Sequence, residues 1–336
     1  MKIGLIGYGA WGRHHAAAIA KTPGLELAAV CAQSEASRNE AAAQHGVPVS
    51  ANYFDLIASP GLEAVDIVLP THLHAEAACA ALRAGLHVLL EKPMAPTVEH
   101  CESLIESALE SGRTLLVGHE FRLSKQWGRM RALIEDRAIG AVQACTVDLW
   151  RRPYRAGSQG WKRDPARVAS WILEEPVHFF DLACWWLKEA GRPQWVYARA
   201  NRLPSSAAGL WDNLTAVLEF ESGAHATLTH SLSIAEHHLS AKVMGDRGAL
   251  IATWDGEQDR ATDARAALKL FDGERLGEIA IESSGELFEL ETELAHFAAV
   301  CRGEAQPAIT PDEAARAVAI CIAAERSIRS GEAERI

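Results

Sequence analysis

A glycine-rich turn near the N-terminus constrains the fold of this chain more than any other feature. It directly follows the apolar run KIGLI and opens an alanine-rich stretch, which is the context that the motif G-x-G-x-x-G requires. Gly7 allows a tight turn, Gly9 lets the backbone approach a pyrophosphate, and Gly12 lets the helix pack closely on the strand. The motif comprises Gly7, Tyr8, Gly9, Ala10, Trp11 and Gly12. We therefore predict that these six residues bind a dinucleotide; the alternative is a glycine-rich turn without a ligand.

Short apolar runs alternate with alanine-rich stretches through the first third of the chain. The runs cover residues 2–7, 25–32, 64–70, 87–93 and 114–120, and the stretches between them are long enough for crossover helices. This alternation predicts an α/β fold with a doubly wound parallel sheet. We therefore assign residues 1–121 to a dinucleotide-binding Rossmann domain.

Beyond residue 121 the pattern changes to strands of alternating polarity. A helix at about 124–136 precedes strand-like runs at 141–150, 194–200, 213–220, 225–233, 238–245 and 249–254, and helices at about 286–302 and 311–330 end the chain. Their spacing predicts hairpins and a large, mostly antiparallel open sheet. Residues 122–336 are therefore predicted to form an α+β domain for substrate binding and oligomerisation.

The overall composition argues against several kinds of partner. The 336 residues are 49% hydrophobic and carry a net charge of −11, which is the wrong sign for binding nucleic acid. The sequence contains neither a signal peptide nor a run of about 18 apolar residues that could span a membrane. The seven cysteines are scattered without a C-x-x-C pair, so neither disulfides nor a metal site is predicted. We expect a cytoplasmic protein.

The residues after the second strand bear on the choice of cofactor. An acidic residue about 20 positions after the glycines usually binds the ribose 2′-hydroxyl of NAD. This position holds Ala32, followed by Gln33, Ser34 and, one turn later, Arg38. Hydroxyls and a guanidinium can hold a 2′-phosphate, so the sequence favours NADP while leaving NAD open. The alternative is that these residues only begin an exposed helix.

Three further motifs carry a family resemblance. Together with the glycine turn, the stretches PTHLH (70–74), HVLLEKP (87–93) and VHFFD (177–181) resemble the Gfo/Idh/MocA family, which includes glucose-fructose oxidoreductase and inositol dehydrogenase. The resemblance covers essentially the whole chain. It implies a Rossmann domain followed by an open-sheet domain, and an NAD(P)-dependent dehydrogenase or reductase of cyclic polyols, sugars or sugar derivatives. It also implies that Pro70, Thr71, His74 and Glu91 lie near the nicotinamide.

Lys92 is the first candidate catalytic residue. It follows a parallel strand at the edge of the sheet where α/β folds bind ligands, and its ammonium can hydrogen-bond the oxygen of the reacting carbon. By itself it could equally be an exposed lysine before a proline turn. The E-K-P resemblance favours a site lysine that contacts both substrate and cofactor.

The stretch ILEEPVHFFDLACWW (172–186) contains the second candidate. Pro176 suits the first turn of a helix, so His178 is expected inside that turn and on a different face from the apolar stripe. Its imidazole is suited to general acid–base work, against the alternative of a core histidine. The resemblance pairs this histidine with an acidic residue four positions earlier, here Glu174, where the family has aspartate. Asp181 is expected in a supporting role.

A basic segment, residues 151–167, precedes this stretch. The resemblance puts Trp161 near the cofactor, and the segment could be a lid that selects a carboxylated or phosphorylated sugar. For most of its basic residues a solvated loop is the simpler interpretation.

The sequence therefore favours a hydride-transferring enzyme, with two alternatives. One is a dehydrogenase of a non-sugar substrate such as a dihydrodiol, and the other is a non-catalytic dinucleotide-sensing regulator. An open sheet with one face not covered by helices also predicts a homodimer or homotetramer through the C-terminal sheet.

Overall fold

The computed structural model describes residues 1–204, 206 and 209–336. The chain divides into two compact units. The first comprises Met1–His119 and Leu290–Ala315, and the second comprises Glu120–Glu289 and Arg316–Ile336. Residues 290–315 thus belong to the first unit, whereas the sequence pattern assigned all residues after 121 to the second domain.

The first unit is built around a parallel sheet. Its strands are β1 (Lys2–Ile6), β2 (Glu26–Cys31), β3 (Val49–Ser50), β4 (Ala64–Ile67), β5 (His87–Glu91) and β6 (Leu115–Gly118). The helices between them are α1 (Ala10–Lys21), α2 (Glu35–His45), α3 (Tyr53–Ile57), α4 (His74–Arg83) and α5 (Val98–Ser111). In the described part of the chain the strand order is β3-β2-β1-β4-β5-β6, with every pair parallel.

This order confirms the predicted doubly wound sheet and locates its ligand edge. The order reverses between β1 and β4, and ligands of such sheets bind outside the carboxyl ends of the strands at this switch point. The glycine turn follows β1, and Lys92 follows β5. Both therefore lie at the same edge of the sheet.

The second unit contains a larger sheet and most of the remaining helices. After α6 (Trp127–Glu135) come β7 (Val142–Trp150), α7 (Pro165–Val168), α8 (Trp171–Glu174), α9 (Pro176–Trp186), β8 (Pro193–Asn201), β9 (Asn213–Phe220), β10 (His225–Ser231), β11 (His237–Gly245), β12 (Ala249–Gly256), β13 (Arg265–Phe271), β14 (Leu276–Ile279), α10 (Glu286–Cys301), α11 (Pro311–Ser330) and β15 (Glu334–Arg335). Parts of α10 and α11 belong to the first unit.

Among the described residues, nine strands form the second sheet in the order β14-β13-β12-β11-β7-β10-β9-β8-β15. Only the pair β7–β10 is parallel among the pairs that this order contains, so the predicted mostly antiparallel sheet is confirmed. Side chains alternate between a buried and an exposed face along each central strand. The exposed face carries Trp150, Trp195, Tyr197 and Val217.

Helix α9 lies against the buried side of this sheet, in contact with β7 and β10. Its predicted apolar stripe, including Phe179 and Trp186, is buried. The polar stripe is buried too, because His178 and Asp181 are each only 2% exposed. The spacing argument therefore separates the two faces correctly, but the polar face meets other polar side chains instead of water.

Candidate active site

The glycine turn of the first unit fits a dinucleotide. A Cβ atom on Gly7 would lie 2.2 Å from the Val68 carbonyl oxygen, and one on Gly12 would lie 1.9 Å from the Gly7 carbonyl oxygen. These two positions require glycine because the protein packs against itself there. Gly9 caps the N-terminus of α1, and a Cβ there would meet no described atom within 4 Å. An anion can therefore approach the backbone at Gly9, as pyrophosphate does in Rossmann folds.

The side chain of Glu91 connects this helix to the turn that carries Lys92. Trp11, in the first turn of α1, donates its Nε1–H to Glu91 Oε1 at 2.8 Å. Glu91 is the last residue of β5, and the next peptide bond, Lys92–Pro93, is cis. Trp11 and Glu91, both predicted to bind cofactor, are thus in direct contact with each other.

The PTHLH motif supports the same turn from the other side. Pro70 precedes a 3-10 turn that includes Thr71, and His74 begins α4. The ring of His74 is buried, with Nδ1 2.8 Å from the Pro93 carbonyl oxygen and Nε2 2.8 Å from the Leu69 carbonyl oxygen. These contacts give His74 a clear role in holding the Lys92–Pro93 turn.

Polar groups at the end of β2 suit a ribose or its phosphate. The guanidinium of Arg38 donates to the carbonyl oxygens of Ala32 and Gln33, at 2.9 and 2.7 Å, which holds it over the strand end. Ser34 caps α2 by accepting from the Ser37 amide at 3.1 Å. Tyr8 faces the far end of α2, where its hydroxyl lies 2.8 Å from Gln44 Oε1.

His178 occupies the first turn of α9, as predicted. Its Nε2 lies 3.8 Å from Glu120 Oε1, and its ring lies 4.6 Å from that of Phe121, centroid to centroid. Glu120 begins a short 3-10 turn and is 5% exposed. A buried carboxylate at this distance stabilises the protonated form of an imidazole by electrostatic attraction.

Glu174 lies at the end of α8 and makes an ion pair with the basic segment. Its Oε2 lies 2.6 Å from Lys162 Nζ, and the carboxylate is 5% exposed. The helix breaks at Glu175, where φ is −129° and ψ is −50°, before α9 begins. Glu174 and His178 thus belong to different helices.

Asp181 and Arg122 form a buried bidentate ion pair. The two N–H···O distances are 2.8 and 2.7 Å, and both side chains are 3% exposed. The pair joins α9 to the 3-10 turn that carries Glu120. This ion pair lies about one turn beyond His178 and therefore helps to hold Glu120 and His178 in their relative positions.

A second polar group lies at the start of the basic segment. Arg151 forms ion pairs with Glu175 and with Asp259, the latter at 3.2 Å, and all three are largely buried. Burial lowers the pKa of His230 to about 3 and that of His237 to about 4. Both imidazoles are therefore neutral at neutral pH, and each can donate and accept one hydrogen bond.

Trp161 lies within the basic segment and packs on an apolar cluster of the second unit. The cluster consists of Tyr154, Val168, Trp171, Leu210 and Leu232. A Cβ on Gly157 would lie 2.6 Å from Trp161 Nε1, so this glycine is needed for the indole to fold back over the segment. These contacts hold the indole ring of Trp161 in place within the second unit.

Sequence reasoning did not identify His15, Asp66, Glu120 or Arg122 as site residues. Asp66 carried the clearest signal, because it is a carboxylate inside the apolar run AVDIVLP. Within residues 1–204, 206 and 209–336, no cluster of three or more His, Cys, Asp or Glu side chains could hold a metal ion. None of the helices described is both long and apolar enough to cross a membrane.

The fold and the site together define a class of protein. A Rossmann unit with a dinucleotide turn, a lysine at its ligand edge and a second unit with a buried histidine are typical of nicotinamide-dependent dehydrogenases and reductases. Residues 1–119 match the model of the Gfo/Idh/MocA oxidoreductase family with an NAD-binding Rossmann fold, and residues 127–251 match the Gfo/Idh/MocA C-terminal domain. The chain belongs to this family, which confirms the resemblance seen in its motifs.

Individual relatives agree with this assignment. A 1,5-anhydro-D-fructose reductase of Ensifer adhaerens is 26% identical over 337 residues, covering 99% of this chain and 98% of that protein. An inositol 2-dehydrogenase of Rubrobacter xylanophilus is 28% identical, covering 74% of this chain and 70% of its own. The crystal structure of an aldose-aldose oxidoreductase from Caulobacter crescentus in complex with glycerol superposes with a TM-score of 0.86 at 21% identity, covering 100% and 99% of the two chains.

Proposed function

We propose that this enzyme catalyses the reversible transfer of a hydride between a nicotinamide dinucleotide and a hydroxyl-bearing carbon of an uncharged cyclic polyol or sugar. One observation carries the proposal. Trp11, in the helix that follows the glycine turn, is hydrogen-bonded to Glu91, the residue that precedes Lys92. This contact joins the predicted pyrophosphate site to the lysine that would act on the substrate oxygen.

The chemistry divides between the cofactor and the side chains. A bound nicotinamide supplies the hydride acceptor or donor. In the oxidation, the Lys92 ammonium donates a hydrogen bond to the substrate oxygen and stabilises negative charge as the hydride leaves the carbon. His178 accepts the proton of the hydroxyl group. In the reduction, His178 returns this proton to the oxygen.

Glu120 is the carboxylate that we propose to orient His178. Its distance of 3.8 Å from Nε2 permits electrostatic stabilisation of the imidazolium that forms when the proton is accepted. The Arg122–Asp181 ion pair holds both elements together. Glu174 holds the basic segment through its ion pair with Lys162.

The pairing of basic side chains supports an uncharged substrate. Arg151, Arg152 and Lys162 each have a carboxylate partner in the second unit, so their charges are already balanced. His230 and His237 are neutral at neutral pH and add no positive charge near Arg151. This supports the interpretation of residues 151–167 as a partly self-neutralised segment rather than as a binding site for anions.

A screen of paired substrates tests the proposal. The purified enzyme is incubated with NADP or NAD and with matched sets of an aldose, its aldonate and its 6-phosphate, along with inositols, anhydro sugars and a dihydrodiol. We expect the neutral member to have a kcat/KM at least about tenfold higher than its anionic partners, since unpaired charge is costly to bury. A preference for an anionic member would contradict the substrate class, and turnover of the dihydrodiol alone would favour the non-sugar alternative.

Two substitutions distinguish the enzyme from a dinucleotide sensor. Lys92→Ala and His178→Ala should each lower kcat by at least about a hundredfold while the dinucleotide Kd changes little. Dinucleotide binding by the unaltered protein without turnover of any substrate would favour the sensor.

A further inference from the structure

A buried cluster of hydrogen bonds and ion-pair contacts joins α1 to β4 and β5 inside the first unit. His15 Nδ1 lies 2.7 Å from Asp66 Oδ2, and His15 Nε2 lies 3.1 Å from Glu91 Oε1. The same Oε1 accepts the indole N–H of Trp11 at 2.8 Å. The side chains of His15 and Asp66 are 1% and 0% exposed, so the imidazole is held between two carboxylates away from water.

A protonated imidazole offsets one of the two negative charges in this group. Burial lowers the pKa of His15, but the charge and hydrogen bond of Asp66, together with Glu91, outweigh this effect and raise it to about 10. Burial raises the pKa of Glu91, but the close contact and charge of His15 and the charge of Lys92 lower it to about 2. The imidazolium is thus a countercharge that is hydrogen-bonded to Asp66 through Nδ1 and lies in ion-pair contact with Glu91 through Nε2.

Position in the fold suggests a role for this group beyond stability. His15 lies on the helix that begins at the Gly9 cap, and Glu91 is the last residue before Lys92. A buried ion pair seldom stabilises a fold more than apolar side chains of the same volume would. It does impose a single geometry on the groups that it joins, because each hydrogen bond has a preferred distance and direction.

We propose that His15 is a positioning residue that, through Glu91, fixes the backbone carrying Lys92 relative to the N-terminus of α1. A shift of Lys92 by a fraction of an ångström would change its hydrogen bond to the substrate oxygen and slow hydride transfer. Asp66 orients the imidazole for this purpose by holding Nδ1. The inference rests on the proposed role of Lys92.

Two substitutions of His15 distinguish its contact with Asp66 from its contact with Glu91. Asparagine places its amide N–H close to the position of Nδ1, so His15→Asn keeps a donor for Asp66 and loses the one for Glu91. Glutamine places its amide N–H close to the position of Nε2, so His15→Gln keeps a donor for Glu91. We expect kcat to fall about tenfold or more in His15→Asn and less than about threefold in His15→Gln, with the dinucleotide Kd nearly constant in both.

The substrate deuterium isotope effect on kcat gives a readout that a loss of stability alone would not move. It should increase in His15→Asn, because hydride transfer becomes more rate-limiting. A matched control is Thr22→Val, at the other end of α1, where the buried hydroxyl donates to the Ala18 carbonyl oxygen at 2.8 Å. This control should lower Tm while leaving kcat and the isotope effect unchanged.

A double-mutant cycle with Lys92 tests whether His15 acts through Lys92. If His15 acts through Lys92, His15→Asn should have little further effect on single-turnover rates in the Lys92→Ala background. An equal loss in both backgrounds, or equal kcat values for the asparagine and glutamine variants, would overturn the inference. Should His15→Asn fail to fold, Asp66→Asn replaces it. We expect this variant to have a lower kcat and a larger isotope effect than the unaltered protein. Unchanged values would contradict the inference.

The outcomes also separate this inference from the proposed function. If Lys92→Ala turns over normally, the role of Lys92 is wrong. If Lys92→Ala is inactive while His15→Asn retains its kcat and isotope effect, the proposed function stands and only the role of His15 is wrong.

Discussion

Lys162 Nζ lies 2.6 Å from Glu174 Oε2, so the basic segment is joined by an ion pair to the end of α8. His178 lies in the first turn of the next helix, where Glu120 Oε1 is 3.8 Å from its Nε2. The buried carboxylates of Glu174 and Glu120 thus contact different basic side chains, and substitutions can assign a separate effect to each.

Glu120→Gln and Glu174→Gln should have different kinetic effects. We expect Glu120→Gln to lower kcat about tenfold, because the imidazolium loses its negative neighbour, and Glu174→Gln to lower it less than about threefold. Steady-state rates with saturating dinucleotide and substrate measure both. A larger loss in Glu174→Gln would show that the acidic residue four positions before the histidine keeps the family role.

Breaking the Arg122–Asp181 pair should destabilise the protein strongly. Asp181→Asn leaves a buried guanidinium without its charged partner, and we expect the free energy of unfolding to fall by about 3 kcal/mol. The double variant Arg122→Met/Asp181→Leu removes both charges and should be less destabilised than the single one. Urea denaturation of the three proteins measures this, and equal losses in the single and double variants would contradict the argument.

Much of the fold follows from local patterns in the sequence. The glycine turn and the apolar run that ends at Glu91 place Lys92 at the ligand edge, because the carboxyl ends of parallel strands share one side of a sheet. The strands β13 and β14 were not predicted. Their polar and alanine-rich sequences lack a clear apolar alternation, and β14 has no buried residue.

The contacts between site residues could not be predicted in the same way. Arg122 and Asp181 are 59 residues apart, and His15 and Asp66 are 51 apart, so only the tertiary fold brings them together. Sequence periodicity separates polar from apolar faces of a helix, but it does not distinguish a polar face in water from one that meets buried charges. In α9, Asp181 lies on a polar face that meets buried charges, where it pairs with Arg122.

The pKa of His15 implies a pH dependence of stability that a variant can reveal. The folded-state pKa of about 10 exceeds the usual 6.5, so the charged imidazole stabilises the fold fully below pH 6.5. This contribution declines as the pH rises and disappears above about 10. We expect the Tm difference between the unaltered protein and His15→Gln to be largest near pH 6 and to shrink towards pH 10. A difference independent of pH would contradict a charged His15.

Arg38 should discriminate between the two dinucleotides. Its guanidinium is held at the end of β2, where a 2′-phosphate would lie, and a hydrogen bond to a charged group contributes about 1.5–3 kcal/mol. Arg38→Ala should therefore raise the Kd of NADPH about tenfold or more and leave that of NADH within about twofold. Fluorescence titration with both cofactors measures this. Equal changes for the two would show that Arg38 does not contact the phosphate.

The exposed face of the second sheet should mediate self-association. Trp195 and Tyr197 are 43% and 40% exposed on β8, and Val217 lies beside Tyr197 on β9, which makes an apolar patch of the kind that a second copy covers. We expect a dimer or tetramer in solution, and a monomer in the variant Tyr197→Glu. Leu109→Glu is the matched control, because Leu109 is 78% exposed on α5 of the other unit. Light scattering after size-exclusion chromatography measures the mass; a monomeric unaltered protein, or a Tyr197→Glu variant that remains oligomeric, would exclude this face as the interface.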